Sequence, residues 1–532
     1  MTTTDQPQPS EASQSASVAP VMTQRQVMQA LSGLLLGMFV AILSSTIVSN
    51  ALPHIVADLG GSQSSYTWVV TSTLLAMTAS TPLWGKLSDL YDKKRLVQAA
   101  LVIFVTGSVL AGLAHGTGLL IAMRAVQGVG TGGMVALSQI VLASMIPPRE
   151  RGRYNGYLGA VFAVATVAGP LIGGVITDTS WLGWRWCFYV GVPIAVVALG
   201  VLQRTLHLPV GDGGKKVDWL GAALITSTVS LLLVWVTLAG DAFAWNSWQT
   251  YAMIGGSVTL AVLFAVTETK AADPVIPLRL FRNRTIALAS SVSFFVGAAM
   301  FAATVYLSQY FQLARGESAT MAGLMTVPMI AGLFLASTVS GRFITATGRW
   351  KAWLVTGGIL LTAGLALLAR LHHDTPYWQV AYAMAFTGLG LGMSMQNLVL
   401  AAQNQTDGAD LGATSSLVTF TRSLGGTIGV SALGALLSSR VTHYLADGLT
   451  RIGAPAGGSD TQGAVPDVSK LREPLRTVVT SAYGDGIADL FLFAAPAALL
   501  GLVLTLFIRE TALKDRTPEP GHPTTAPAEG QA

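Results

Sequence analysis

The chain has 532 residues, of which 52% are hydrophobic and 11% charged, with a formal net charge of +5. A soluble domain carries about 25% charged residues, so composition excludes a soluble fold, which would expose far too much apolar surface. The charges cluster between apolar runs of about 20 residues, the length of a bilayer span. The positive excess therefore reads as a topology signal rather than a nucleic-acid footprint.

Residues 1–23 are rich in Ser, Thr, Gln, Pro and Ala and lack the basic start and apolar core of a signal peptide, so a disordered tail is expected. Fourteen helical spans are predicted after it. They lie near 28–53, 67–84, 96–114, 119–146, 155–177, 185–205, 218–238, 248–268, 285–311, 321–341, 352–370, 377–402, 412–437 and 486–508. Residues 511–532 read as a second disordered tail. With the N-terminus inside, Lys and Arg fall in the inside loops at 85–95, 147–154, 203–217, 269–284 and 341–351, whereas the outside loops at 54–66, 115–118 and 239–247 have none. The positive-inside rule puts both termini in the cytoplasm of a multi-pass protein. The exception is a long outside loop, 438–485, with five basic residues. The one cysteine, Cys187, excludes an intrachain disulfide and a cysteine-cluster metal site, and no metal or cofactor is expected.

The loop GKLSDLYDKKR at 85–95 has a damaged echo, GRFITATGRWK, at 341–351, 256 residues later. Six spans and their loops would need roughly 200 residues at this spacing, and the excess matches two extra spans. The expected plan is an N-terminal six-helix bundle (24–206), two inserted helices (207–270) and a C-terminal six-helix bundle (271–510). Within the first loop, Gly85 would let two helices touch, and Asp89, close to Lys93, Lys94 and Arg95, would latch one bundle to the other. The plainer reading is a basic topogenic loop.

Three further segments stand out. LIAMRAVQGVGTGG at 120–133 places Arg124 and Gln127 inside a span, where a charge is costly and marks function by default. The bland alternative is that Arg124 snorkels to the outer interface. AVATVAGPLIGG at 163–174 combines Gly169, Pro170, Gly173 and Gly174, a set that kinks a helix and permits close packing. WRWCFYVGVPI at 184–194 suits an interfacial aromatic belt. Together with the repeat, these segments resemble the major facilitator superfamily, and within it the fourteen-helix drug:proton antiporter branch, over about 28–510. The loop departs from the family pattern at Asp92, where a second Gly is usual.

The resemblance implies an all-α membrane protein with a major facilitator fold. It also implies an efflux transporter of small amphiphilic compounds, of the multidrug and antibiotic-resistance type, and no enzyme. It would be a monomer in the plasma membrane bilayer, working by alternating access and driven by protons. It makes 85–95 a conformational latch, Arg124 a residue of proton coupling or a tie between the first and fourth helices, and 169–174 an exporter motif. An uncoupled facilitator or importer of the same fold is the alternative. In support of it, the branch often has an Asp in the first helix, and LSSTIVS at 43–49 has Ser44 there. No Asp or Glu lies deep in the first thirteen spans; Asp489 comes nearest, in the last one, and His54 and Asp58 would be a weak outer pair. Arg422 is the second cation within a span, either a cavity residue or a structural link, and Asn50, Gln127, Gln139, Gln396 and Asn397 are candidate neighbours of the two arginines. Tyr306, Tyr310, Phe294, Phe295, Met300, Met393 and Met395 are candidates for a soft cavity wall.

A nucleotide-driven pump fails for want of a phosphate-binding loop, since Gly-Lys occurs only at 85–86 and 214–215, without the required frame. No HExxH or GxSxG is present to suggest a hydrolase.

Overall fold

A computed structural model describes residues 24–60, 63–179, 181–206, 218–240, 242–406, 410–452 and 473–513. The tail 1–23, most of the tail 511–532 and the centre of the segment 438–485 lie outside the described residues. So do the side chains of Asn50, His54 and Pro170.

Among the described residues, fourteen long helices account for the fold. They are α1 (Gln24–Asp58), α2 (Gln63–Leu90), α3 (Lys93–Gly112), α4 (Thr117–Met145), α5 (Pro148–Asp178), α6 (Gly191–Thr205), α7 (Trp219–Leu238) and α8 (Trp248–Lys270). They continue with α9 (Arg284–Gln309), α10 (Val327–Thr347), α11 (Lys351–Leu368), α12 (Tyr377–Asn404), α13 (Leu411–Arg451) and α14 (Leu475–Leu506). Short turns Trp186–Tyr189 and Ala319–Met325 precede α6 and α10. Starts are set by side chains that accept the first free N–H groups: Asp92 for α3, Asp218 for α7, Ser247 for α8 and Asn283 for α9.

In the first six helices α4 packs against α2 and α3, and α1 against α5 and α6. In the last six, α12 packs against α10 and α11, α13 against α9, and α14 against α11 and α13. The buried apolar side chains follow this division, with two clusters within 27–206 and one that draws almost wholly on 222–513. The halves meet through α2 against α13 and α5 against α10. Adding eight to α2 and α5 gives α10 and α13, so each junction pairs one of these two helices with the counterpart of the other, as a repeat with two inserted helices requires.

Two sequence expectations change. The segment 438–485 is not a loop at its ends, because α13 runs on to Arg451 and α14 begins at Leu475. Hydropathy falls there, but the helices lean on each other: Tyr444 donates to Asp489 Oδ2 at 2.9 Å, and Arg440 pairs with the same oxygen at 3.4 Å. The inserted helices, which their place between the two bundles would set at the periphery, are not equally peripheral. While α8 is largely exposed, α7 packs on both α2 and α13, beside the junction between the halves.

Candidate gate and buried polar network

At the end of α2, Asp89 reaches across to the other half. Its Oδ1 accepts the N–H of Gly412 at 2.8 Å and its Oδ2 accepts that of Ala413 at 2.9 Å. These are the first free N–H groups of α13, where the helix dipole favours an anion. Burial pushes the Asp89 carboxyl, which lies beyond the predicted 67–84 span, up to about 7, against the pull of those two N–H groups and of Lys93. Gly85 allows the approach: a Cβ there would lie 2.0 Å from Ser416 Oγ and 2.9 Å from the Gly412 carbonyl oxygen.

Not all of the predicted latch belongs to this contact. Lys94 Nζ donates to the Gln203 carbonyl at the end of α6 at 2.7 Å, and Arg95 is exposed and 3.8 Å from Asp92. Both hold α3 within its own half. Asp92, the departure from the family pattern, accepts the Lys94 N–H at 2.9 Å and caps α3.

The echo at 341–351 makes the matching junction. A Cβ on Gly341 would lie 1.9 Å from the Gly152 carbonyl oxygen, and the Arg153 N–H donates to Thr345 Oγ1 at 3.1 Å. Between the two junctions lie links that sequence reading missed. Buried Arg151 donates to the Ile146 carbonyl at 2.7 Å and to Gln403 Oε1 at 3.1 Å. Gln403 in turn donates to Ser415 at 2.9 Å. Gln139 donates to Gln396 Oε1 at 2.5 Å. The signal available was amide side chains inside apolar spans, each needing a partner. These contacts between the halves all lie toward the motif end. At the opposite end α5 meets the short helix Ala319–Met325, where a Cβ on Gly174 would lie 2.7 Å from Thr320 Oγ1.

Arg124 does not snorkel: it is 2% exposed. It donates to Gln127 Oε1, and Gln127 donates to Ser44 Oγ at 3.1 Å and to Ser108 Oγ at 2.7 Å. The serine in the place of the usual acid is thus wired, through one amide, to the buried cation. Arg124 Nε has no hydrogen-bond partner. Arg422, also buried, donates to the Met395 carbonyl at 3.3 Å. Among the described residues neither arginine has an ion-pair partner within 4.0 Å.

The other candidates fall elsewhere. Gln396 is taken by Gln139, and Asn397 donates to Ser340 Oγ at 3.2 Å and to the Met393 carbonyl at 2.7 Å, so neither is recorded with Arg422. Gly169 seats α5 on α1, where a Cβ would lie 2.0 Å from Thr46 Oγ1; Gly173 is buried. Asp58 accepts from Trp184 Nε1 at 2.7 Å and lies 3.9 Å from Arg185, which ties the 184–194 segment to the end of α1. Tyr306, Tyr310, Met300, Met393 and Met395 are buried in helix packing rather than on an open wall, with Tyr310 donating to the His372 carbonyl at 2.7 Å.

Residues 34–430 match the Major Facilitator Superfamily. The chain is 36% identical over 487 residues to an uncharacterised MFS-type transporter of Mycobacterium tuberculosis (strain ATCC 25618 / H37Rv), covering 91% of this chain and 70% of that protein. It is 35% identical over 420 residues to the multidrug transporter protein MdtP of Bacillus subtilis (strain 168), covering 79% and 77%. The solved structure of the proton:xylose symporter XylE superposes with a TM-score of 0.61 at 14% identity, covering 93% of this chain and 98% of that one, a likeness of fold alone. Motif loops, paired junctions and relatives agree, and the chain belongs to the major facilitator superfamily of membrane transporters, which are not enzymes.

Proposed function

We propose that the protein is a secondary active efflux transporter that expels small amphiphilic compounds from the cell, driven by the proton gradient. In this reading it is a monomer of the plasma membrane with both termini in the cytoplasm. Helices α1–α6 and α9–α14 rock about a central site. The observation that carries the reading is the clasp of Asp89 on the start of α13. It is a polar, breakable contact at one end only, as a gate requires, and with the basic loops inside it closes the cytoplasmic side. The name of the Bacillus relative and the 169–174 motif support export. Two buried arginines without acids favour anionic or neutral compounds over multivalent cations.

A facilitator without proton coupling is the second reading, favoured by Ser44 and its bond to Gln127. Purified protein in liposomes with an internal pH-sensitive dye separates the two. An imposed proton gradient and a panel of anionic, neutral and cationic amphiphiles should give substrate-dependent proton flux. Substrate movement with no proton flux rejects the antiporter.

A further inference from the structure

The contact of the inserted helices with the gate is not merely apolar. Asp218 caps α7, its Oδ1 accepting the Gly221 N–H at 2.9 Å. Glu268, near the end of α8, is 4% exposed, and its Oε1 accepts the Val275 N–H at 3.1 Å. The two carboxyl groups face each other across Gly221: a Cβ there would lie 2.4 Å from Asp218 Oδ2 and 2.9 Å from Glu268 Oε1. The Ile276 N–H also acts on the Glu268 carboxyl, and among the described residues the second oxygens, Asp218 Oδ2 and Glu268 Oε2, are buried with no hydrogen bond of good geometry.

The cation that acts on Glu268 comes from the motif loop itself. It is Lys86, next to Gly85, and it is 7% exposed. Other charged groups near these elements are engaged or turned outward. Asp89 on α2 is held by α13, Asp410 at the start of α13 pairs with Arg279 at 2.9 Å, Lys270 and Arg282 are exposed, and Asp273 in the linker is half-buried with a partner of its own.

Among the described residues the cluster thus holds two carboxyl groups and one ammonium. Two close carboxylates, one buried and one half-buried, do not both ionise readily, because each raises the cost of charging the other. One bound proton makes the cluster neutral and gives the two orphan oxygens a hydrogen to share. Without that proton a net negative charge is left away from water, which is costly.

We infer that Asp218, Glu268 and Lys86 form a proton-binding site that joins the inserted helices to the gate. The proton sits between the two carboxyl groups, and its departure adds a negative charge to the cluster on which Lys86 acts through Glu268. That draws the end of α2 toward α7 and α8 and away from α13. The site would supply the proton carrier that Ser44 cannot provide in α1. Only this link to transport rests on the proton-driven reading, and the binding itself does not.

The test uses the full chain in lipid nanodiscs and difference infrared spectroscopy on a change of pH. A carboxylic C=O band should titrate in the wild type and be lost or shifted in both Glu268→Gln and Asp218→Asn. No titrating carboxylic band in the wild type, or one unchanged in both variants, overturns the inference. Should those variants fail to fold, Lys86→Met decides: removing the cation should move the band's midpoint to higher pH, and an unmoved midpoint overturns the site. Proton flux in liposomes is scored separately. Its absence alongside a persisting, variant-sensitive band rejects proton-driven transport and leaves the binding site standing.

Discussion

The two junctions between the halves share a frame and differ in chemistry. Gly85 and Asp89 on α2 meet the start of α13, and Gly341 and Thr345 on α10 meet the start of α5 in the same register. Both glycines let backbones touch. At the fifth position of the motif, however, one junction has a carboxylate that takes two N–H groups, and the other a hydroxyl that takes one. Their turns differ too. Gly348 ends α10 in the left-handed region at φ 72°, a conformation that disfavours other residues, whereas Asp92 sits at φ −58° and caps the next helix. The echo therefore keeps the close glycine contact of the first loop and its basic residues, and loses its acids. Close packing is common to both junctions, and a strong polar clasp belongs to one.

Gly341→Leu should have the largest effect. Its Cβ would meet backbone at Gly152, which cannot rotate aside, so the halves must part at a cost of about 3 kcal/mol. Spin-label distances across the motif end, on α2 and α13 and on α5 and α10, should lengthen; unchanged distances would show that packing does not hold this end shut. Asp89→Ala comes next. It strips two N–H groups of a charged acceptor and should weaken closure by about 2 kcal/mol, read from the same distances. Thr345→Ala removes one neutral bond, and about 1 kcal/mol is expected. An equal or larger effect for Thr345→Ala would erase the asymmetry between the junctions.

The remaining prediction concerns pH. Closure raises the affinity of Asp89 for a proton, because burial outweighs the N–H groups and Lys93 and pushes its carboxyl up to about 7. A group raised in this way favours the closed end fully at pH below its solvated value near 4 and loses that contribution as pH rises through about 7. The closed fraction should therefore fall between pH about 4 and about 7 in the wild type, and Asp89→Asn should remove the part of that fall that Asp218 and Glu268 do not carry. A flat wild-type profile would mean that Asp89 closes the gate without exchanging a proton.

The number of helices was legible because apolar length is a strong signal, and the repeat revealed the two-half plan. The clasp was legible in part. Glycine and acid at fixed spacing pointed to a contact, but nothing in the loop named α13 as its target or sent Lys94 and Arg95 back to their own half. Partners 252 and 257 residues apart, such as Arg151 with Gln403 and Gln139 with Gln396, depend on how two bundles dock, which span-by-span reading does not encode. The helical ends of 438–485 were missed for another reason. Past the predicted spans, a helix can be polar and still persist when Arg440 and Tyr444 find Asp489.

The length of α13 has a mechanical consequence. Its 41 residues make a rod about 60 Å long. One tip is gripped by Asp89, and its middle is pressed onto α9 where Gly425 would meet the Phe294 carbonyl oxygen. The far tip is strapped to α14 through Arg440 and Tyr444. A rod held at its middle is a lever, so freeing the gripped tip swings the distant one the opposite way. The hairpin of α13 and α14 is then a pointer whose sweep reports the state of a gate at the other side of the bilayer.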